Sequence, residues 1–195
     1  MNYLGHAFLS FGDGEILTGN ITGDHFKGLK ILDTLPERIA KGAMLHRKID
    51  GFADNHPAIL RAKVWFREDF GLYSGAVLDT LFDHFLASDA RYFPSEDMLL
   101  EFTLEIYQKL EVFSQYFPSS FAAYFPHMKE HNWLYGYRNL LGIQRSLQGL
   151  QRRAKYIAPT EKAYQTFIKH YYELNQCYYE LIDDMVEYVK IELSA

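Results

Sequence analysis

Pro159-Thr160-Glu161-Lys162-Ala163-Tyr164 opens a segment in which Tyr164, Phe167, Ile168, Tyr171, Leu174, Tyr178, Leu181, Ile182, Met185 and Val189 recur at steps of three and four. Residues so spaced share one face of a helix, so the segment predicts a long amphipathic helix lying across the domain. Thr160 stands where an N-cap would accept the first free backbone N–H groups.

The same period runs upstream, and strand-like alternation is almost absent. Helices are predicted from Pro36 to about Ala53, from Pro57 to Phe70 before Gly71, and from Ser74 to Tyr92 before Pro94. Ser95-Glu96-Asp97-Met98 restarts a helix that continues to about Tyr116 and halts at Pro118. Shorter helices are expected over Ser119–Tyr124 and Asn132–Arg153. The chain opens with a short helix, a turn at Gly12-Asp13-Gly14, and a helix carrying both Asn20 and Asp24. No repeat, linker or low-complexity stretch interrupts 195 residues, a length suited to one domain with a substantial core. The fold class read from this is all-α, a single compact multi-helix domain.

Composition narrows the function. Fifteen Tyr and fifteen Phe imply a core dominated by aromatic rings. The single cysteine, Cys177, excludes an internal disulfide, and no signal-like or membrane-spanning apolar run is present; a cytoplasmic location is expected. Net charge is −5, which argues against a nucleic-acid partner. The charge is uneven: nine basic residues face five acidic ones from Thr22 to Arg67, and three face eleven from Glu68 to Glu130. A locally basic surface would attract an acidic partner or a phosphate.

Four local patterns carry candidate chemistry. Asn20 and Asp24 are four apart; His46, Asp50 and Asp54 are successive steps of four; Asp79 and Asp83 are four apart, with His84 following; His6 stands alone. On helices these become polar stripes, and the second carboxylate pair is embedded among Leu78, Leu81, Phe82, Phe85 and Leu86. A carboxylate in such surroundings is costly unless paired, hydrogen-bonded or metal-bound. Imidazole and carboxylate together suit Mn²⁺, Fe²⁺ or Zn²⁺, and a carboxylate-rich set leans to Mg²⁺ or Mn²⁺. One i,i+4 His–Asp pair is usually a surface or capping pair; three stripes on separate apolar helices point to a shared site. His25, His127, His131 and His170 follow no carboxylate pattern and are read as structural or surface residues. Gly19 and Gly23, also four apart, would let a helix or a substrate approach closely, or mark a turn.

Helices with scattered His and Asp are similar to the HD group of metal-dependent phosphohydrolases, although the adjacent His-Asp pair of that group is missing and only the reversed Asp83-His84 occurs. A closer likeness lies in Met1-Asn2-Tyr3-Leu4-Gly5-His6, Gly19-Asn20 with Asp24, His46-Arg47 with Ile49-Asp50 and Asp54, and Asp79 with Asp83-His84-Phe85-Leu86. It continues through Trp133-Leu134, Tyr137-Arg138, Ile143-Gln144, Leu147, Gly149 and Arg152-Arg153. In this series the chain resembles the acyl carrier protein phosphodiesterases, regarded as an atypical HD-like branch.

That resemblance implies hydrolysis of holo-acyl carrier protein to the apo carrier and 4'-phosphopantetheine, with a divalent cation, Mn²⁺ first and Mg²⁺, Fe²⁺ or Co²⁺ as alternatives. On this reading Asp24, His46, Asp83 and His84 form the metal shell, with Asp83 its anchor. Asp50 and Asp54 serve as supporting groups or general base, and Asp79 orients a ligand histidine. Arg47 reaches a phosphate oxygen, while Asn20 and His6 hydrogen-bond around the site. Arg152, Arg153 and Lys155 would dock an acidic carrier surface, and Trp65, Phe66, Trp133 and Tyr137 would line a channel for the prosthetic arm. The alternatives are an HD-type phosphohydrolase of nucleotides or other small phosphodiesters, and a non-enzymatic helical protein with buried polar networks.

Overall fold

The C-terminal periodicity is realised as two helices, Glu161–Lys169 and Tyr171–Ser194, rather than one. The break is at His170, whose backbone leaves the helical region (φ −112°, ψ 27°) and whose ring stacks on Trp65 at 5.0 Å. Thr160 is not a cap: its hydroxyl bonds the Gln151 side chain at 2.9 Å, and its backbone is already helical. The apolar face is nevertheless continuous across the break, because Phe167, Leu174, Tyr178, Leu181, Ile182, Met185 and Val189 are all buried.

The computed structural model describes residues 1–28, 30–154 and 156–194, and among them there is no strand. The helices are α1 (Tyr3–Phe8), α2 (Gly14–Thr22), α3 (Glu37–Asn55), α4 (Pro57–Phe70), α5 (Ser74–Ala87) and α6 (Glu96–Val112), followed by α7 (Ser119–Ala122), α8 (Phe125–Glu130), α9 (Trp133–Gly136), α10 (Leu140–Arg153), α11 (Glu161–Lys169) and α12 (Tyr171–Ser194). Their ends follow local chemistry. Asp13 accepts from the N–H groups of Glu15 and Ile16 to cap α2, Ser95 caps α6, Asn139 caps α10, and Pro57 opens α4. Gly71 ends α4 at a φ of 49°, where a side chain would be strained. Helix α5 stops at Ala87, five residues short of the expected end, because Asp89 leaves the helix to pair with Arg91 and Tyr178. The predicted Asn132–Arg153 helix is split by Asn139, whose side chain starts α10 afresh.

Helix α12, about 36 Å long at 1.5 Å per residue, packs against α3, α4 and α5. One main core fills the space between, where Phe85 meets the rings of Phe82, Phe167 and Tyr178, with the more exposed Tyr171 packed on Phe85 from outside. The closest helix pair is α2 with α3. A Cβ on Gly19 would stand 1.9 Å from the Ile39 carbonyl oxygen, and one on Gly42 would stand 2.3 Å from that of Ile16. The two backbones touch, and this contact positions everything in the site described next.

Candidate metal centre

Three helices converge on one small volume. His6 comes from α1, Asn20 from α2, and His46 and Asp50 from α3; Asp24 follows α2 in a 3-10 turn, Gly23–His25. Asn20 and Asp24 were expected on one helix, but α2 ends at Thr22, and the tightened turn swings Asp24 towards α3. Gly23 makes room for this: a Cβ there would lie 2.4 Å from Cγ of His46.

Asn20, wholly buried, holds both imidazoles. Its side-chain amide donates to the His6 carbonyl (2.9 Å) and to Ser10 Oγ (3.1 Å), which leaves Oδ1 as the acceptor for His6 Nδ1–H at 2.8 Å. Its backbone carbonyl accepts His46 Nδ1–H at 2.7 Å. Both Nδ1 atoms must therefore carry hydrogen, and both Nε2 atoms present lone pairs when the rings are neutral. The rings stack at 4.0 Å. Both Nε2 atoms are buried without a hydrogen bond. Carboxylate oxygens approach them out of hydrogen-bond alignment: Asp24 and Asp50 at 3.0 and 3.2 Å from His46 Nε2, and Asp50 at 3.3 Å from His6 Nε2.

The ligand-capable atoms of His6, His46 and Asp50 all lie within 4.8 Å of one another. Atoms bound to one ion at about 2.0–2.2 Å are separated by up to about 4.4 Å, so the cluster is close to that size. A second trio, His127, Glu130 and His131, has this proximity but is exposed. The first also has the chemistry: two orphaned imidazole nitrogens, two carboxylates, and an amide fixing each ring from behind. Its residues fit a divalent cation.

Electrostatics agree with that reading. Burial pulls the His46 imidazole down, but the Asp24 and Asp50 carboxylates outweigh it and push it up to about 9. His6 is held below its ordinary value by burial and by His46 beside it. Burial would raise Asp50, yet the two imidazoles and the Met1 amino group hold it far below the usual carboxylate range. The neighbouring imidazoles thus keep the Asp24 and Asp50 carboxylates in their charged form.

Other expected site residues are placed differently. Asp83, wholly buried, accepts the backbone N–H groups of Asn2 (3.1 Å), Leu4 (2.8 Å) and Gly5 (3.1 Å). It supplies from α5 the cap that α1 lacks, because Asn2 makes no side-chain cap bond. Burial pushes its carboxyl up to about 7. His84 donates from Nδ1 to the Tyr137 carbonyl (2.8 Å) and accepts the Tyr171 hydroxyl at Nε2 (2.9 Å). Neither residue joins the cluster in this structure, since their polar atoms are engaged elsewhere than in the metal shell expected of them. Arg47, expected to reach a phosphate oxygen, donates to the carbonyls of Phe26 and Gly28 and braces that loop. Asp54 pairs with Lys63 at 2.7 Å. Asp79 binds the Met1 amino group at 2.7 Å, not a histidine, and that amino group lies 3.9 Å from Asp50.

Two cavities are lined by residues singled out above, and only the first borders the cluster, through Asp50. One, of about 330 Å³, is lined by Asp50, Asp54, Asp79, Lys63 and Arg67. The other, of about 580 Å³, is lined by Tyr3, Tyr124, Trp133, Tyr137, Arg145 and Arg153 among others. Trp133 and Tyr137 therefore face a cavity as expected of channel residues. Phe66 is instead core, and Trp65 is covered by His170. A chain of hydrogen bonds that spacing does not announce runs along this second cavity: Ser120 Oγ to His25 Nδ1 (2.9 Å), His25 Nε2 to Tyr124 OH (2.8 Å), and Tyr124 OH to Tyr3 OH (2.5 Å).

Comparison with known proteins gives the lineage. The sequence model described as acyl carrier protein phosphodiesterase matches residues 1–185. Acyl carrier protein phosphodiesterase of Enterobacter sp. (strain 638) is 30% identical over 145 residues, 74% of this chain and 75% of that protein. The enzyme of the same name from Escherichia coli O6:H1 (strain CFT073) is 28% identical over 144 residues, 74% of each chain. No solved structure matches. With a match over residues 1–185 and a relative 30% identical that the chain covers to three quarters, the chain belongs to the acyl carrier protein phosphodiesterase family.

Proposed function

We propose that the protein hydrolyses holo-acyl carrier protein to the apo carrier and 4'-phosphopantetheine, using a divalent cation held by His6, His46 and Asp50 with Asp24 beside them. The observation that carries this reading is the pair of buried, unsatisfied Nε2 atoms facing charged carboxylates inside a family named for this reaction. A divalent ion, Mn²⁺ in our reading, supplies positive charge for the phosphoryl oxygens and lowers the pKa of water in contact with it.

The residues of the chain do the rest. Asn20 fixes the tautomer and plane of both imidazoles. Asp24, with a side chain 81% exposed, lies on the open side of the site, where the phosphodiester arrives. Asp54 and Asp79 line the smaller cavity with Asp50, and from there a carboxylate can take the proton of the attacking water. Water adds to phosphorus, the bond from phosphorus to the serine oxygen of the carrier breaks, and that oxygen leaves with the electron pair and gains a proton. Lys63 and Arg67 add positive charge to the same cavity. The reading assigns one domain and a cytoplasmic setting; no helix of the described residues is long and apolar enough to cross a membrane.

The test is incubation with holo carrier protein and Mn²⁺, followed by mass measurement of the carrier. Loss of one phosphopantetheine mass supports the proposal. An unchanged carrier, with hydrolysis of a nucleotide phosphodiester under the same conditions, would assign the site to another substrate.

A further inference from the structure

The larger cavity lies between the segment around α8 and α9 and one face of α10, and nothing in the metal cluster accounts for it. At about 580 Å³ it falls within the range of about 300–1,000 Å³ typical of small-molecule sites. One wall is aromatic: Tyr3, Tyr124, Trp133 and Tyr137, with Tyr124 and Trp133 nearly parallel at 9°. The His25–Tyr124–Tyr3 hydrogen-bond chain fixes that wall in place. The other wall carries Arg145, Arg152 and Arg153. Among the described residues none of these three is paired with a carboxylate, whereas Arg38, Arg61, Arg91 and Arg138 all are. Lys155, which the sequence groups with Arg152 and Arg153, lies outside the described residues.

The groove's lining and the side chain bonded to it come within one residue of groups that face the metal cluster. Asn2, in its lining, follows Met1, whose amino group faces Asp50. His25, bonded to the Tyr124 wall, follows Asp24, which faces His46. A ligand with its phosphate at the cluster therefore has one aromatic and cationic trough into which to extend.

We infer that this groove is the binding site of the pantetheine arm, which lies along the aromatic wall while the unpaired arginines hold the anionic end next to the cluster. This inference rests on the proposed reaction. The chemistry is matched: the arm is a narrow chain of apolar carbons and amides ending in a thiol, suited to flat ring faces interspersed with the polar Asn2, Ser146 and Gln148. The groove therefore sets specificity for an arm-bearing phosphodiester over a small one.

Gly149 allows a direct test. It lines the groove, and a Cβ there would meet only Arg152 Nη2, at an ordinary 3.7 Å. Replacing a glycine within a helix also favours the helix, so Gly149→Leu is expected to fold while filling the trough. The readout is the ratio of kcat/KM for holo carrier protein to that for bis(p-nitrophenyl) phosphate, both with Mn²⁺. Gly149→Leu should lower this ratio at least tenfold, and Arg153→Gln should raise KM for the carrier. A second readout needs no turnover. The chain has two tryptophans, so a Trp65→Phe protein reports on Trp133 alone; added 4'-phosphopantetheine should change its fluorescence, and Gly149→Leu should abolish the change. An unchanged ratio, or fluorescence indifferent to 4'-phosphopantetheine, would overturn the groove assignment. If the wild type cleaves neither substrate while the fluorescence response and its loss in Gly149→Leu persist, the groove stands and the proposed reaction falls.

Discussion

Two regions of this molecule look alike in sequence and differ in what their polar atoms do. On α3, His46 and Asp50 interrupt an apolar helix at a spacing of four; on α5, Asp79, Asp83 and His84 do the same. In the first region the Nε2 atoms of His46 and of its neighbour His6 are buried with no hydrogen bond. In the second, Asp83 takes three backbone N–H groups, and His84 uses both ring nitrogens. Spacing reveals that polar groups are buried; only the accounting of their partners separates a ligand from a structural brace.

The largest expected effect falls on the unsatisfied region. His46→Ala should lower kcat/KM for holo carrier protein by more than about a hundredfold while retaining the helical circular dichroism of the wild type. Retention of activity would erase the distinction between the two regions. Asp83→Ala should act on stability instead. It strands three backbone donors, two of them fully buried, and should cost about 3 kcal/mol in urea unfolding. A variant as stable as the wild type would mean that Asp83 is no cap. Asn20→Ala, which frees both imidazoles, should lower Mn²⁺ affinity about 10–100-fold, read by titration. His84→Phe should cost only about 1–2 kcal/mol of stability and leave Mn²⁺ affinity unchanged; a large fall in affinity would return His84 to the metal shell.

A further effect is on the pH dependence of stability. Asp83 is raised to about 7 in the folded chain, against about 3.9 for a free carboxyl. Between those values the folded chain holds a proton that the unfolded chain has lost, so the contribution of this group to stability falls as pH rises from about 4 to about 7. Unfolding measured across that window should show a shallower fall in Asp83→Asn than in the wild type. Parallel curves would contradict the buried cap.

Much of this was legible in the sequence for a physical reason. Helical period fixed the class of every long segment, and turn residues such as Pro57 and Gly71 marked their ends correctly. The break at His170 was not legible, because it depends on a ring stack with Trp65, far away in the chain. The site was half legible. His6, Asn20, Asp24, His46 and Asp50 were all singled out, and the contact at Gly19 and Gly42 brings them together. The assignment of roles among them was not available, since it depends on which ring nitrogen faces which backbone carbonyl across helices. The partners of Asp83 were not legible for that reason: they are N–H groups of residues 2–5, and backbone donors leave no trace in side-chain spacing. The His25–Tyr124–Tyr3 chain was missed for the same reason, joining residues about a hundred positions apart.

The central claim is that a cation is gripped by His6, His46 and Asp50. Its most direct test is equilibrium Mn²⁺ binding, followed by the electron paramagnetic resonance signal of free Mn²⁺, in the wild type, His6→Ala/His46→Ala and His84→Phe proteins. Binding in the wild type and in His84→Phe, with loss in the double variant, is the predicted outcome; Mn²⁺ bound equally well by the double variant would contradict it.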